Sequence, residues 1–394
     1  MIKTIFGDHE PDTLRQFENC LQTGNVVGGA LCADGHYGYS QPVGGVIAYD
    51  GQIAPSGVGY DIACGNKAVK TNIMYDDIKN DIGRIMDKLH QQILFGVGRK
   101  NPNPVDHALF DDERWQVFQE IGKHEHDGLK ALARSQFGTT GSGNHYVDIL
   151  VDQQTDEVWV GNHFGSRGLG HKTATGFLNL ARGLQFSDKG IQDSMEQPPT
   201  LLDMDTELGQ LYFEAMELAG IYAYAGRDYV MEQTLDILGA KSVMEVHNHH
   251  NYAWKETHFG KEYIVVRKGA TPAAPGQLGF VGGSMADISV ILQGVDSEKS
   301  RNAFYSTIHG AGRVMSRTKA AGKMNWRTRK RRGGAISEQD MQQAVDRYGV
   351  ELRGAGTDES PFVYRKLQQV LDAHEGTIEV LHTLKPIGVV MSGD

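Results

Sequence analysis

Apolar residues recur at intervals of three and four in several long stretches of the chain, the spacing that places them on one face of a helix. Residues 76–98 are therefore predicted to form an amphipathic helix with the apolar positions Ile78, Ile82, Ile85, Met86, Leu89 and Ile93. Further helices are predicted over residues 111–134, 201–238 (one long helix or two consecutive ones), 337–348 and 360–374.

Shorter apolar runs bounded by turn residues predict strands between these helices. Residues 145–151 and 157–161 have this character, and strand-like runs such as VMEVH and EYIVVRK return between 241 and 295. The first 70 residues are predicted to form short strands and turns. Because helices and strands do not alternate regularly, the pattern favours an α+β fold over a doubly wound α/β fold.

Length and cysteine usage narrow the class of protein. The 394 residues, 40% of them hydrophobic, are enough for a large core in one big domain or two ordinary ones. The three cysteines, Cys20, Cys32 and Cys64, give no disulfide framework and suit a reducing compartment. There is no apolar signal core at the N-terminus and no run of 18 apolar residues. We therefore expect a soluble, cytoplasmic protein with no membrane partner.

The net charge of −10 does not predict nucleic-acid binding by the chain as a whole. The segment 313–333 reverses this charge, and its basic run with one tryptophan consists of Trp326, Arg327, Arg329, Lys330, Arg331 and Arg332. Such a segment is compatible with a solvated loop and with contacts to nucleic-acid phosphates. The chain lacks GxxxxGK[ST] and a GxGxxG between a strand and a helix, so a nucleotide site must be of another kind.

Reactive side chains concentrate in five short stretches: GVGYDIACG (57–65), GTTGSGNHYVDI (138–149), GNHFGSRGLGH (161–171), VHNHHNYAWKE (246–256) and STIHGAGRVMSRTK (306–319). In the first, the carboxylate of Asp61 and the thiol of Cys64 can meet one cation. His145 and His163 add imidazoles, although each residue taken alone is more simply explained as structural. Together they suit a borderline transition metal better than Mg²⁺ or Ca²⁺, which prefer oxygen ligands.

The fourth stretch holds three histidines within four positions, which itself suggests metal binding. In an extended segment His247 and His249 share one face and His250 lies on the other. The sequence leaves open which of them binds.

The fifth stretch places His309 before Gly-Ala-Gly-Arg, where small residues let the backbone approach a phosphate closely. Arg313 and Arg317 supply positive charge there, and Arg167 in the third stretch could grip a phosphate through two hydrogen bonds. A neutral imidazole is a competent nucleophile toward phosphorus. The alternative for His309 is an ordinary loop histidine.

Together with RKGATPAAPGQLGFVGGSM (267–285), these stretches occur in the order found in the RtcB family of RNA-splicing ligases, which the chain resembles over most of its length. The resemblance implies an RtcB-like α+β fold, in which mixed β-sheets and helices surround a deep metal-containing cleft. It also implies one catalytic domain over residues 1–394.

The function implied by the resemblance is joining of an RNA end bearing a 2′,3′-cyclic phosphate or 3′-phosphate to a 5′-hydroxyl, in tRNA splicing or RNA repair. The family uses GTP and usually Mn²⁺, and two ions are expected. His309 would attack the α-phosphate of GTP and become histidine-GMP. GMP would pass to the RNA 3′-phosphate and be expelled by the 5′-hydroxyl. Broken tRNA or rRNA is the expected partner.

The resemblance also assigns roles to individual residues. The implied metal ligands are Asp61, Cys64, His145, His163 and His250, with Cys64 bridging two metals. The implied nucleotide contacts, besides His309, are Asn144, Asp148, Ser284, Ser289, Gly310, Ala311, Gly312 and Tyr364. The implied RNA and phosphate contacts are Arg167, Arg313 and Arg317.

Three positions depart from the family pattern. Asp148 replaces a glutamate, Gly282 replaces a proline, and Ser392 stands where a C-terminal lysine reads the guanine. These changes suggest a divergent member with its own RNA target or nucleotide tolerance. They leave the implied metal ligands and His309 unchanged, so we expect catalysis to be retained.

Two other classes of function use part of the same residue set. A metal-dependent phosphoesterase or cyclic phosphodiesterase acting on RNA ends would keep the metal ligands without needing His309. A non-catalytic RNA-binding relative would need neither Cys64 nor several converging histidines, so the intact ligand set argues against it.

Overall fold

The computed structural model describes residues 1–190, 194–325 and 330–393. The helices in these ranges are α1 (Pro11–Leu21), α2 (Pro55–Val58), α3 (Tyr75–Ile78), α4 (Ile82–Gln92), α5 (Val117–Ile121), α6 (Lys123–Gln136), α7 (Arg167–Ala181), α8 (Glu207–Leu238), α9 (Glu298–Asn302), α10 (Arg317–Ala321), α11 (Glu338–Tyr348) and α12 (Leu367–Asp372). Short 3₁₀ turns cover Ala108–Asp111, Glu113–Gln116, Thr357–Glu359 and Pro361–Val363.

The strands of the same ranges are β1 (Ile2–Ile5), β2 (Val26–His36), β3 (Val43–Tyr49), β4 (Gln52–Ile53), β5 (Gly65–Met74), β6 (Leu94–Phe95), β7 (Thr139–Gly141), β8 (Tyr146–Asp152), β9 (Glu157–Phe164), β10 (Leu202–Asp203), β11 (Ser242–His249), β12 (Asn251–His258), β13 (Lys261–Lys268), β14 (Ala270–Pro272), β15 (Leu278–Val281), β16 (Ser289–Gly294), β17 (Ser306–Ile308), β18 (Lys323–Asn325), β19 (Lys330–Arg332), β20 (Glu351–Arg353) and β21 (Ile378–Met391).

Two large sheets organise these strands. One has the order β1-β2-β3-β13-β12, and the other has the order β11-β5-β9-β8-β21-β16-β15, with β20 paired to β21. Most neighbours are antiparallel; β1–β2 and β20–β21 are parallel. The irregular mixture of helices and largely antiparallel sheets confirms the predicted α+β class.

The centre of the larger sheet is buried on both faces. Along β8, Val147, Ile149 and Val151 pack toward α4, while Tyr146 and Leu150 belong to a cluster on the opposite face. This division follows from the two-residue period of a strand. Because both faces are covered, a one-residue slip of β8 would exchange two packed sets of side chains, so its register is firmly specified. The strands predicted at 145–151 and 157–161 are confirmed as β8 and β9.

The predicted 201–238 segment contains one long helix, α8, of 32 residues. Its N-terminus is capped by Thr206, whose hydroxyl accepts a hydrogen bond from the backbone N–H of Gly209. Gly239, at φ 66°, ends the helix in the left-handed conformation. Within the described residues, no helix combines the length and apolarity needed to cross a membrane.

The prediction of one helix over 76–98 is wrong in extent. The chain leaves helical geometry at Asp81 (φ −115°, ψ 1°), which separates α3 from α4. At the other end Ile93 is extended and β6 pairs with β7, so tertiary pairing replaces further helix. The apolar face itself is as predicted, with the buried residues Ile78, Ile82, Ile85, Met86, Leu89 and Ile93.

Two further helix predictions need correction. In 111–134, a 3₁₀ turn capped by Asp112 comes first, and extended Gly122 (φ 165°) separates α5 from α6. In 360–374, only α12 and a short 3₁₀ turn form, because Tyr364 is extended and pairs with Arg313 in a β-bridge. The C-terminal helix predicted at 337–348 is confirmed as α11.

A helix, α1, forms in the N-terminal region that was predicted to contain only strands and turns. Pro11 begins it, and Phe17, Cys20 and Leu21 bury its apolar face. The basic run predicted to contact nucleic acid lies partly outside the described residues, which exclude 326–329. Its described members Arg331 and Arg332 are exposed.

Candidate metal and nucleotide site

Four neighbouring strands of the larger sheet, β11, β5, β9 and β8, have ends that lie close together on one side of the sheet. Gly65 of β5 lies opposite both Phe164 of β9 and His249 of β11, and Tyr146 of β8 lies opposite His163. Cys64 therefore precedes β5 at the same end of the sheet where His145 precedes β8, His163 is the next-to-last residue of β9, and His250 follows β11. Strand register thus brings together four segments that are far apart in the sequence.

The donor atoms at this edge lie within reach of a single ion. Cys64 Sγ is 3.2 Å from His163 Nε2 and 3.8 Å from His145 Nε2. His145 Nε2 is also 3.1 Å from Asp61 Oδ2. The ligand atoms of Cys64, His145 and His163 all lie within 4.8 Å of one another, and all three residues are buried. The structure therefore assembles a group that could hold a metal ion.

The second nitrogen of two of these histidines is fixed by hydrogen bonding. His145 Nδ1 donates to the carbonyl of Thr140 (2.7 Å), and His163 Nδ1 donates to Asn66 Oδ1 (2.6 Å). The amide of Asn66 is itself oriented, because its Nδ2 donates to the carbonyl of Phe280 (2.9 Å). Both imidazoles are thereby held in the tautomer that leaves Nε2 free as a ligand, the usual arrangement behind metal-binding histidines.

Of the three histidines in VHNHH, only His250 faces the cleft. Its ring centroid is 5.1 Å from that of His163 and 4.9 Å from that of His309. Its Nδ1 is buried without a hydrogen-bond partner within the part of the chain that the structure describes. His247 Nε2 and His249 Nδ1 instead accept hydrogen bonds from Arg227. The structure thus favours His250 as the ligand where the sequence left three alternatives.

Burial sets the protonation of this group. It lowers the pKa of His163 and of His250 well below the usual range, with further lowering from neighbouring histidines, so both rings are neutral and can donate a lone pair. Burial and the neighbouring Asp61 raise the pKa of the Cys64 thiol. Burial alone would raise the pKa of Asp61, but its contacts with His145 and the Cys64 thiol and the charge of Arg167 together lower it. One thiol, one carboxylate and neutral imidazoles suit a borderline transition metal.

His309 is oriented by a residue that the sequence did not single out. Its Nδ1 lies 2.6 Å from Oδ2 of the fully buried Asp34. The same oxygen accepts hydrogen bonds from the backbone N–H groups of His309 (2.9 Å) and Gly310 (3.2 Å). Burial opposes ionisation of Asp34, yet the charge and hydrogen bonds of His309 lower the pKa of the carboxyl overall. This arrangement leaves Nε2 of His309 as the available nucleophilic nitrogen.

The residue before β14 must be a glycine for His309 to occupy its position. Gly269 has φ 60°, and a Cβ there would lie 2.3 Å from Cγ1 of Val43 and 3.0 Å from Cε1 of His309. Any side chain would therefore displace the imidazole or the strand β3 beside it. The pairing of β14 with β17 then holds the segment that leads into His309.

The metal-ligand group and His309 share one cleft of about 340 Å³. Its lining includes the predicted residues Asp61, Cys64, Asn144, Asp148, His163, His250, Ser284, His309, Gly310, Ala311, Gly312, Arg313, Arg317 and Tyr364. Three predicted site residues lie beside the lining instead, and one of them is the ligand His145, whose Nε2 is 3.8 Å from Cys64 Sγ. Ser289 accepts a hydrogen bond from the backbone N–H of Gly283, and Arg167 donates from Nε to Thr139 Oγ1 (3.2 Å).

Two acidic residues that the sequence analysis missed hold the arginines of the cleft. Glu359, 2% exposed, contacts Arg313 Nη1 at 3.4 Å and also pairs with Arg317 and with the hydroxyl of Tyr364. Asp358 Oδ2 accepts from Arg317 Nη1 at 2.9 Å. The arginines are therefore pre-oriented rather than free. The acidic pair gave no signal because it lies in an irregular segment with neither periodicity nor a neighbouring motif.

The departures from the family pattern also fall on the cleft. Burial raises the pKa of Asp148 well above its usual range, and its Oδ1 lacks a hydrogen-bond partner among the described residues. Gly282 lies against Tyr146, whose hydroxyl would be 2.1 Å from an added Cβ, so a larger residue there requires Tyr146 to move. Ser392 is buried just beyond Met391, which lines the cleft.

His36 is another cleft residue that was not predicted. Its Nδ1 donates to the carbonyl of Asp34 (3.0 Å), and burial lowers its pKa to about 4. Asp34 and His36 lie in the stretch ADGHYGY. A carboxylate and a histidine among glycines could have marked this stretch as a further candidate for the site.

Comparison with known proteins decides the family. A family model described as tRNA-splicing ligase RtcB matches residues 16–392. The chain belongs to the RtcB family. RNA-splicing ligase RtcB of Escherichia coli K12 is 32% identical over 387 residues, covering 91% of this chain and 88% of that protein. RtcB proteins named tRNA-splicing ligases from Thermococcus kodakarensis and Archaeoglobus fulgidus are each 31% identical and cover 90% and 96% of this chain.

Membership in the RtcB family confirms the resemblance and the enzyme class that the motifs implied, an RNA ligase. The matched region contains the four strand ends, the loop of His309 and the chain beside Ser392.

Proposed function

We propose that this protein is a GTP- and Mn²⁺-dependent ligase that joins RNA 2′,3′-cyclic phosphate or 3′-phosphate ends to 5′-hydroxyl ends through a histidine-GMP intermediate. The observation that carries the proposal is the shared cleft. A histidine with one nitrogen held by a buried aspartate faces a group of metal-binding side chains, at a ring-to-ring distance of 4.9 Å between His309 and His250.

In the first step, Nε2 of His309 attacks the α-phosphate of GTP. A P–N bond forms, the P–O bond to the β-phosphate breaks, and pyrophosphate leaves. Asp34 keeps the proton on Nδ1 and stabilises the positive charge that develops on the ring, as the aspartate of a Ser-His-Asp triad does for its histidine. The N–H groups that bind Asp34 also hold the Gly310–Gly312 loop beside the phosphates.

The residues of this chain that would hold metal are Asp61, Cys64, His145, His163 and His250. When bound, Mn²⁺ neutralises charge on phosphate oxygens and stabilises the oxygen that leaves. We propose two ions, which Cys64 would help to hold, since its sulfur lies against both His145 and His163. The unpartnered Nδ1 of His250 fits such a role.

The proposed guanylate contacts are the cleft residues Asn144, Asp148, Ser284, Gly310, Ala311, Gly312 and Tyr364, with Ser289 supporting the turn at Gly283. Arg313 and Arg317, which line the cleft, would contact the RNA 3′-phosphate. Arg167, which donates a hydrogen bond to Thr139 beside the cleft, would also contact phosphate. Asp148 with its unpartnered oxygen is placed to read a base edge from within the cleft.

The test is to mix an RNA bearing a 3′-phosphate with a 5′-hydroxyl RNA, using chelator-treated protein with Mn²⁺ and GTP added separately. We expect joined product only when both are present. Joining without GTP would overturn the nucleotide-dependent proposal. Removal or hydrolysis of the end phosphate without joining, in the presence of both, would favour the phosphoesterase alternative.

Asp34→Asn should slow GMP transfer to the protein on the order of 10²–10⁴-fold, by analogy with loss of the aspartate from a Ser-His-Asp triad. The amide can present its NH₂ group to Nδ1 and so favour the wrong tautomer of His309. The measurement is the rate of labelling from α-labelled GTP, together with the melting temperature. Asp152→Asn is a matched control, because Asp152 is equally buried and lies 2.6 Å from His382 Nδ1. An equal loss in both variants would contradict a specific role of Asp34.

Replacing Arg329, Lys330 and Arg331 with alanine should weaken RNA joining and flatten its dependence on salt, because fewer phosphates are neutralised. Labelling of the protein by GTP should be largely spared. Joining rates across a salt series measure the effect. If labelling falls as much as joining, the segment is structural rather than an RNA contact.

We also propose that residues 1–394 act as one catalytic domain. Asp34, which holds His309, lies on β2 of the five-stranded sheet, whereas Cys64, His145 and His163 lie at strand ends of the larger sheet. Both sheets therefore contribute residues to one site. A cytoplasmic location is proposed on the sparse cysteines alone. Broken tRNA or rRNA is the proposed partner, in splicing or repair.

A further inference from the structure

A fully buried arginine lies directly behind the metal-ligand group. Arg227, on α8, is 0% exposed. A buried guanidinium is costly unless its donors are satisfied, so the groups that satisfy them are informative. All of its acceptors among the described residues are neutral, and they belong to the three segments that carry candidate ligands.

Two of the acceptors are backbone carbonyls next to metal ligands. Arg227 Nη1 donates to the carbonyl of Ala63 (3.0 Å) and to that of Phe164 (2.5 Å). Ala63 precedes Cys64 and holds the left-handed φ of 58°, which strains a residue with a side chain. Phe164 follows His163. One guanidinium nitrogen therefore ties together the two segments whose sulfur and imidazole lie 3.2 Å apart.

The other two acceptors are histidines of VHNHH. Arg227 Nε donates to His247 Nε2 (2.8 Å), and Nη2 donates to His249 Nδ1 (3.0 Å). Because each hydrogen bond occupies the lone pair of a neutral ring, these nitrogens cannot bind metal at the same time. His250, directly after the strand, lines the cleft, and its Nδ1 has no hydrogen-bond partner among the described residues.

We propose that Arg227 is a positioning residue for the metal site: it fixes the segments of Cys64 and His163, and it selects His250 as the third histidine by engaging His247 and His249. The inference concerns the ligand group and depends on neither GTP nor ligation. It can therefore fail while the proposed ligase function stands, and the reverse is also possible.

The experiment measures Mn²⁺ binding to the chelator-treated full chain by calorimetry, with the melting temperature of the metal-free protein as a second readout. Arg227→Met should weaken Mn²⁺ binding by about 10–100-fold, the range for residues that orient metal ligands. The Mn²⁺ affinity of Arg227→Lys should lie between those of the wild type and Arg227→Met, because one ammonium group cannot reach all four acceptors. Met216→Ala is the control for stability, since Met216 is fully buried on the same helix but does not line the cleft.

The two variants are compared at a temperature where both are folded. The proposal would be overturned if Arg227→Met bound Mn²⁺ with an affinity within about threefold of that of Met216→Ala. A histidine series tests the selection independently if Arg227→Met does not fold. His249→Asn, which keeps an acceptor for Arg227, should bind Mn²⁺ like the wild type, whereas His250→Ala should lose at least about tenfold. Equal losses in His249→Asn and His250→Ala would also overturn it.

Discussion

His309→Ala is expected to abolish transfer of labelled GMP from GTP to the protein, with a loss of at least about 10³-fold, the scale seen when a covalent nucleophile is removed. RNA joining should be lost to the same extent, because GMP cannot reach the RNA end by another route in the proposed sequence of steps. Mn²⁺ binding should persist, since His309 is outside the ligand group. The measurement is labelling and joining in the same preparations, with Mn²⁺ affinity alongside.

Removing the imidazole also leaves the buried Asp34 without its partner, so the alanine variant alone does not separate chemistry from folding. His309→Asn provides the separation, because its amide can still donate to Asp34 but offers no nucleophilic nitrogen. His382→Ala is a matched control, since His382 lies 2.6 Å from buried Asp152 outside the cleft. Undiminished joining by folded His309→Asn would rule out the histidine-GMP route.

Cys64→Ala is expected to weaken Mn²⁺ binding by at least about 100-fold and to remove ligation at micromolar metal. The sulfur of Cys64 contacts both His145 and His163, so its loss removes the donor that the other ligands share. Joining should recover partly at high Mn²⁺ if only affinity is affected. Calorimetry and a metal titration of joining measure the two effects.

Cys32→Ala is the appropriate control, because Cys32 is also a free, buried cysteine but lies in a hydrophobic cluster that contains none of the proposed metal ligands. It should change stability slightly and leave Mn²⁺ affinity unchanged. If Cys64→Ala bound Mn²⁺ as tightly as Cys32→Ala does, the metal would have to bind elsewhere in the protein.

The sequence determined more about the chemistry than about element boundaries. Cleft residues such as Cys64, His163 and His309 could be predicted because reactive side chains stand in glycine-rich motifs whose order is specific to one family. Apolar periodicity likewise predicted the buried face of α4 and the strands β8 and β9. Helix ends could not be placed in this way, because long-range pairing decided them, as at Tyr364, which bridges to Arg313.

The partners behind the reactive groups were decided by the tertiary structure alone. Asp34 meets His309 from 275 residues away, and Arg227 meets Ala63 from 164 residues away. The choice of His250 over its two neighbours depends on Arg227, which no local pattern connects to VHNHH. Spacing reports which face of a strand a residue occupies, whereas the partner on that face is fixed by register and packing of distant segments. The reactive groups could therefore be identified from local motifs, whereas the way each one is held depends on the packing of distant segments.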